Sequence, residues 1–468
     1  MSSLSRFFAA QDMTEGTPWK KIVSFAIPLL IGNIAQQLYN TADSVIVGKY
    51  VGDLALAAVG GCGPTLNLLI VLFVGIATGA GIMVAQYFGA KQKEELSYSV
   101  GTCLTLTGIA SLIMMVLGTL AAPPLLRLLD TPVETYDMCV AYMRIYFLGI
   151  AGMGFYNIPS GILRGLGDSL SALKYLIVAA GLNIALDLLF VAKFGMGVPG
   201  VAIATIIAQF ISAGLCLRKL FAMRDVMHLR KEHFGLNKRY AKQLVKLGLP
   251  SGLSQAVMSC SGLVVQSLTN SFGAAFVACN TIVMRIDGFV MMPNFSFGNA
   301  MTTFTGQNVG AGDIDRVRKG AKSGTALAVG TSAVLVACII FFGPTLMGLF
   351  TDTPELIEMS TLMMRILAPG YIAFAVTQCM GGVMRGAGDT TTPMWISFFT
   401  TIVVRVPLAY LLAYLTRSDA NPTGDPRTVF LSQLIAWLAG ALVNFIAYKK
   451  GKWSRRLKNI ENHAVAAD

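Results

Sequence analysis

Stretches of twenty or more mostly apolar residues alternate with short polar or glycine- and proline-rich connectors along nearly the whole chain. That pattern predicts membrane-crossing helices. In the first half the stretches fall near 22–47, 55–85, 98–122, 135–160, 171–192 and 199–217. In the second they fall near 248–270, 275–304, 322–347, 356–383, 392–415 and 429–448. The halves are also related residue by residue. Arg164-Gly165-Leu166-Gly167-Asp168 returns 221 positions later as Arg385-Gly386-Ala387-Gly388-Asp389. The same offset joins Gln86 to Gln307, Gly89 to Gly310 and Arg144 to Arg365, while Pro28 and Pro250 are one residue out of step. A unit of about 220 residues written twice is too long for a solenoid. Six spans per copy bring both copies into the membrane from the same side. The expected fold is therefore all-α and integral to the membrane, with twelve transmembrane helices in two parallel six-helix bundles related by a pseudo-two-fold along the membrane normal. The expected domains are an N-terminal lobe over 1–217, a basic linker over 218–246 and a C-terminal lobe with a basic tail over 247–468.

Composition narrows the class. Only 13% of residues are charged, against about 25% in a soluble domain, so the chain lacks the water-facing surface of a large soluble enzyme. The net charge of +12 suggests nucleic acid until the charges are placed. Of 36 basic residues, 27 lie in the N-terminus, alternate connectors and the C-terminus, and five in the opposite connectors. Such a split orients a membrane protein with both termini in the cytoplasm, and no basic face interleaved with aromatics supports a nucleic-acid partner. Within 218–246, nine basic residues meet two acidic ones, as expected for a connector facing lipid headgroups. The eight cysteines are scattered with no C-x-x-C pair, so neither disulfides nor a metal site is expected. The first apolar run passes Pro28 without a small-residue cleavage site and is expected to remain as a span.

The repeated motifs read as framework. In R-G-x-G-D, two glycines permit a tight turn and the aspartate caps the next helix. No Lys-Ser or Lys-Thr follows to make a phosphate loop. Gly89 and Gly310 suit helix C-terminal caps.

Charges inside spans carry the chemistry, because an ionisable side chain at the helix centre costs at least ~2.5 kcal/mol. They are Asp43, Asp187, Asp287, Arg144, Arg285, Arg365 and Arg405. Asp43 ends a polar stripe of Asn33, Gln36, Gln37 and Asn40 on one helical face. Asn183 and Asp187 stack four apart on the fifth span. Counted from the connectors, Asp43, Asn183, Asp187 and Thr205 reach one depth, where their oxygens suit Na⁺ or proton exchange. Arg285 and Asp287 share the eighth span with Met284, Met291 and Met292. Arg285 is placed to neutralise Asp43 or to contact substrate, and Arg405 is an equal partner for Asp287. Methionines 258, 284 and 291 suit a pliable apolar cavity.

The two six-span halves, the paired Gln-x-x-Gly-Ala and Arg-Gly-x-Gly-Asp segments and Asn183-x-x-x-Asp187 resemble the multidrug and toxic-compound extrusion (MATE) family, closest to its DinF-like branch. The resemblance covers residues from about 20 to 450 and rests on the motifs together. It implies that Asp43, Asn183, Asp187 and Thr205, joined by Asn157, form the cation- or proton-linked site. It also implies a substrate cleft bearing Gln36, Gln37, Asn40, Met258, Met284, Arg285, Asp287 and Met291. The spans that carry second-half acids in NorM-like members contain none here beyond Glu358. The expected function is secondary active antiport of amphipathic, often cationic compounds against H⁺ or Na⁺ in the cell membrane, by a monomer with no cofactor other than the coupling ion. A lipid or lipid-linked glycan flippase is the alternative. No Walker motif supports an ATP-driven pump.

Overall fold

The computed structural model describes residues 11–419, 422–451, 453 and 454, apart from the side chains of 64, 68, 69 and 72. Among these residues the chain forms twelve successive helical spans and no strand. The first six are Pro18–Tyr50, Asp53–Gly89, Lys93–Leu128, Val133–Leu148 with Ile150–Gly165, Ser169–Asp187 continued by a π-helical turn Leu188–Lys193, and Gly197–Ala222. The second six are Lys238–Ser271, Ala274–Gly310, Ile314–Gly348, Pro354–Gly386, Thr391–Phe398 continued through π-helical Phe399–Arg405 into Val406–Leu415, and Arg427–Lys450. Among the described residues nine are long and apolar enough to cross a membrane, and the fourth, bent by 51°, makes ten. The seventh is less apolar because Ser251, Ser254, Gln255, Ser259, Ser261, Gln266 and Ser267 interrupt it.

The helices form two compact units, one built on Ile27–Gly252 and the other on Leu253 onward together with Met13–Ala26. The first and seventh helices thus each change unit close to a proline, Pro28 and Pro250. Proline removes one ladder hydrogen bond and loosens the helix there. The segment before the first span is pinned to its unit by three side chains. Gln307 Oε1 accepts the Met13 amide at 2.8 Å, and Asn308 Nδ2 and Arg316 Nη2 each donate to the Met13 carbonyl at 3.1 Å. The 218–246 segment is not a free tether. Its two ends belong to the sixth and seventh helices, and its middle packs on the first unit.

Both units use the same helix pairs: second with third and fourth, third with fourth, fourth with sixth, and fifth with sixth, matched by the corresponding spans of the second unit. Small residues permit the closest approaches, as is common between membrane helices. A Cβ on Gly161 would stand 2.4 Å from the Ala77 carbonyl oxygen, and one on Gly382 would stand 2.4 Å from that of Gly298. Both members of each pair obey the 221 offset.

The R-G-x-G-D segments take the structure expected of them. Gly167 and Gly388 adopt left-handed φ of 84° and 88°. Asp168 Oδ1 accepts the Ser171 amide at 2.9 Å, and Asp389 Oδ1 accepts the Thr392 amide at 3.2 Å. Gly89 and Gly310, expected as caps, are instead the last helical residues. The left-handed positions are Lys91 (φ 57°) and Gly312 (φ 75°), two residues further on. Arg144 and Arg365 lie within the fourth and tenth spans and are both exposed at the helix surface.

Candidate functional site

The polar stripe of the first span lies in the first unit, where Asp43 is half-buried with its Oδ1 shielded from solvent. The fifth span presents Asn183 and Asp187, 1% and 0% exposed. Asp187 is the last α-helical residue before the π-helical turn Leu188–Lys193. Such a turn widens the helix and re-aims the residues beside it, and is frequent at functional sites. Thr205, from the sixth span, is buried as well. Asn183 Nδ2 donates to Thr205 Oγ1 at 3.3 Å, and Thr205 Oγ1 donates to the Val201 carbonyl at 3.0 Å. The threonine proton is thereby committed to its own helix.

The carboxyl groups of Asp43 and Asp187 face each other within hydrogen-bonding reach. Two ionised carboxylates offer no donor to one another. Asp43 Oδ1, both Asp187 oxygens and Asn183 Oδ1 are accordingly buried with no hydrogen-bond partner. No basic side chain forms an ion pair with either acid among the described residues. Buried acceptors without donors are costly, and a proton shared between the acids or a hard cation would satisfy them. Oxygen-only donors suit Na⁺ and give a soft metal nothing to prefer.

Three tyrosines complete this site, and the sequence reading missed them. Tyr39, one turn before Asp43, brings its hydroxyl to Thr205 and lies beside Asp43. Tyr142 and Tyr146 of the fourth span flank Asp43, with ring centroids 6.1 Å apart. Their spacing of four from each other, and of Tyr39 from Asp43, was the available signal. Asn157 is not drawn in by any described contact; its Nδ2 donates to the Met153 carbonyl of its own helix at 3.0 Å. Gln36 and Asn40 are exposed and Gln37 is half-buried.

In the second unit Asp287 is half-buried and accepts the Tyr371 hydroxyl at 2.8 Å. Arg405, at the end of π-helical Phe399–Arg405, donates through Nη2 to Gln433 Oε1 at 2.8 Å. Its Nε is buried without a partner, and its guanidinium lies near enough to Asp287 to act on that charge. Arg405, offered by the sequence as a partner for Asp287, is thus in its surroundings, while Arg285 and Met284 are exposed. Met291 is buried and Met258 half-buried. The two units differ in charge logic: facing acids without a base in the first, and an acid with a tyrosine donor and an arginine in the second.

The MatE family model matches residues 28–189 and 250–411, two stretches displaced by 222 that start at Pro28 and Pro250. The chain is 30% identical over 416 residues to the "Probable multidrug resistance protein YoeA" of Bacillus subtilis (strain 168), covering 87% of this chain and 90% of that protein. It is 26% identical to the "Probable multidrug resistance protein NorM" of Thermotoga maritima, covering 93% of each. Among solved structures, a MATE in complex with MaL6 matches with a TM-score of 0.87 at 26% identity, covering 98% of this chain and 100% of that one. An outward-facing multidrug resistance MATE transporter matches with a TM-score of 0.88 at 27% identity, covering 96% and 99%. With both halves matched and the whole fold shared, the chain belongs to the MatE family of membrane transporters.

Proposed function

We propose that this transporter exports amphipathic, often cationic organic molecules in exchange for H⁺ or Na⁺ by alternating access, in the cell (inner) membrane with both termini cytoplasmic. The observation that carries the reading is the set of buried, donorless oxygens on Asp43, Asn183 and Asp187. A coupling cation or proton quenches their repulsion, and its departure restores it. The bound and free forms then favour different helix arrangements, since a ligand shifts an equilibrium only through its difference in affinity between states. Tyr39 and Thr205 support the site. The groups offered to substrate are, within the first unit, Gln36, Gln37 and Asn40 and, within the second, Met258, Met284, Arg285, Asp287 and Met291, each unit taken by itself. Methionine side chains adapt to ligands of varied shape. One chain carries both halves and suffices as a monomer.

The test is export of a fluorescent organic cation from proteoliposomes under separately imposed proton and sodium gradients. Wild-type protein is expected to respond to at least one gradient. Asp43→Asn is expected to lose the response by at least ~10-fold, equivalent to ~1.4 kcal/mol of coupling. Undiminished gradient-driven export in that variant removes the coupling assignment.

A further inference from the structure

The segment between the sixth and seventh helices carries chemistry that transport itself leaves unused. It is clasped to the start of the third span from several sides. His233 is 1% exposed, and its Nδ1 accepts the Arg230 amide at 2.9 Å. The ring proton is therefore on Nε2, which donates to Glu94 Oε1 at 3.1 Å. That tautomer leaves no Nε2 lone pair for a metal. Glu94, Glu232 and His233 gather their ligand atoms within 4.8 Å, yet they form a clasp rather than a metal centre. Tyr240 donates to Glu95, the His228 amide donates to Ser97 Oγ at 3.1 Å, and Lys93 Nζ donates to the Asp225 carbonyl at 2.8 Å. A Cβ on Gly101 would stand 2.2 Å from the His233 carbonyl oxygen, so the contact is backbone-close.

The clasp engages Glu94 and Glu95 of the third span, and the segment itself carries nine basic residues against Asp225 and Glu232. Arg224, Lys231, Lys238 and Lys242 of the segment are exposed, while Arg230 pairs with Glu232 at 3.4 Å. Among them Phe221 and Phe234, 47% and 40% exposed, stack with ring centroids 6.2 Å apart, and Leu236 is 57% exposed. The depth is set by the third span, whose 36 residues make a helix of about 54 Å. The hydrocarbon core needs only about 30 Å of it, so the polar first turn on which the linker sits lies outside the hydrocarbon, on the membrane's surface side. Aromatic rings and lysines side by side at that level are what membrane interfaces select.

We infer that the outward face of this linker is a docking surface for anionic phospholipid headgroups of the membrane the protein spans, with Phe221, Phe234 and Leu236 wedged among them. The inference rests on the transmembrane reading but not on the coupling site. The test is tryptic cleavage of full-length protein in nanodiscs of phosphatidylcholine alone or mixed with phosphatidylglycerol. Cleavage between 224 and 239 is expected to be at least ~10-fold slower with the anionic lipid, each basic residue near the surface contributing about a fivefold preference. Added salt is expected to reverse the protection. The double variant Phe234→Ser/Leu236→Ser keeps every cleavage site and every charge, and is expected to be cut faster than the wild type in both discs while keeping the difference between them. Equal cleavage of the wild type in both discs overturns the proposal. So does equal protection by soluble glycerol phosphate in phosphatidylcholine discs, which would make the ligand a free anion. Digestion within the spans themselves would instead defeat the transmembrane reading on which it rests.

Discussion

Asp187 is fully buried and neither of its oxygens finds a donor. Leaving a charged group so costs several kcal/mol unless a proton or ion compensates it. Asp187→Asn removes the charge with little change of shape. In sodium-free buffer it is expected to raise the melting temperature while abolishing gradient-driven export. A thermal scan showing no gain would mean that these oxygens already have a partner. Asp287 differs because Tyr371 donates to it and Arg405 stands nearby. Asp287→Asn and Arg405→Gln should each destabilise, and the double variant less than their sum. A coupling of ~0.5–3 kcal/mol from denaturation is the expected range for groups sharing a network. Strict additivity would show that the two do not interact.

At the scale of helices, duplicated small residues set how closely the spans pack. Gly161→Ala forces a methyl to 2.4 Å from the Ala77 carbonyl, whereas Gly60, on the same second helix that bears Ala77, has nothing within 4 Å. Gly161→Ala is therefore expected to cost ~1–3 kcal/mol as overpacking. Gly60→Ala is expected to be neutral or slightly stabilising through helix propensity. Thermal unfolding in detergent separates the two. The capping aspartates make a matched pair of tests. Asp168→Ala and Asp389→Ala each lose one cap, at ~1 kcal/mol apiece. Because they lie in different units, their effects are expected to add within ~0.5 kcal/mol, as unfolding of the double variant would show. The π-helical turns had no such sequence signal. They depend on how the fifth and eleventh spans meet their neighbours, which local propensity does not encode.

For the whole molecule, the boundaries of the two compact units fall near two prolines, Pro28 and Pro250. Met13–Ala26 belongs to the second unit, and the 218–246 segment to the first. Gln307 and Asn308 hold the Met13 backbone from both its donor and acceptor sides. Gln307→Leu is expected to leave the spans folded but to free the segment before the first helix. Faster cleavage after Glu15, which precedes the first helix, by a glutamate-specific protease would report the release, and unchanged cleavage would show that Asn308 and Arg316 suffice. A repeat offset records common ancestry and not which neighbour a segment packs against, so the placement of Met13–Ala26 has no counterpart in the repeat.

Sequence alone determined the spans, their number and their pairing. Hydrophobic run length answers to bilayer thickness, and a common offset survives in residues that backbone geometry requires: Gly167 with Gly388, and Asp168 with Asp389. It also singled out Asp43, Asn183, Asp187 and Thr205, because a polar side chain inside an apolar run stands out without any fold. Tertiary structure decided which of these meet. It brought Asp43 to Asp187 and Asn183 to Thr205, left Asn157 on its own helix, and added Tyr39, Tyr142 and Tyr146. A tyrosine in an apolar run is ordinary until its hydroxyl is placed beside an acid, and that placement arises from packing between distant segments, which no local pattern specifies.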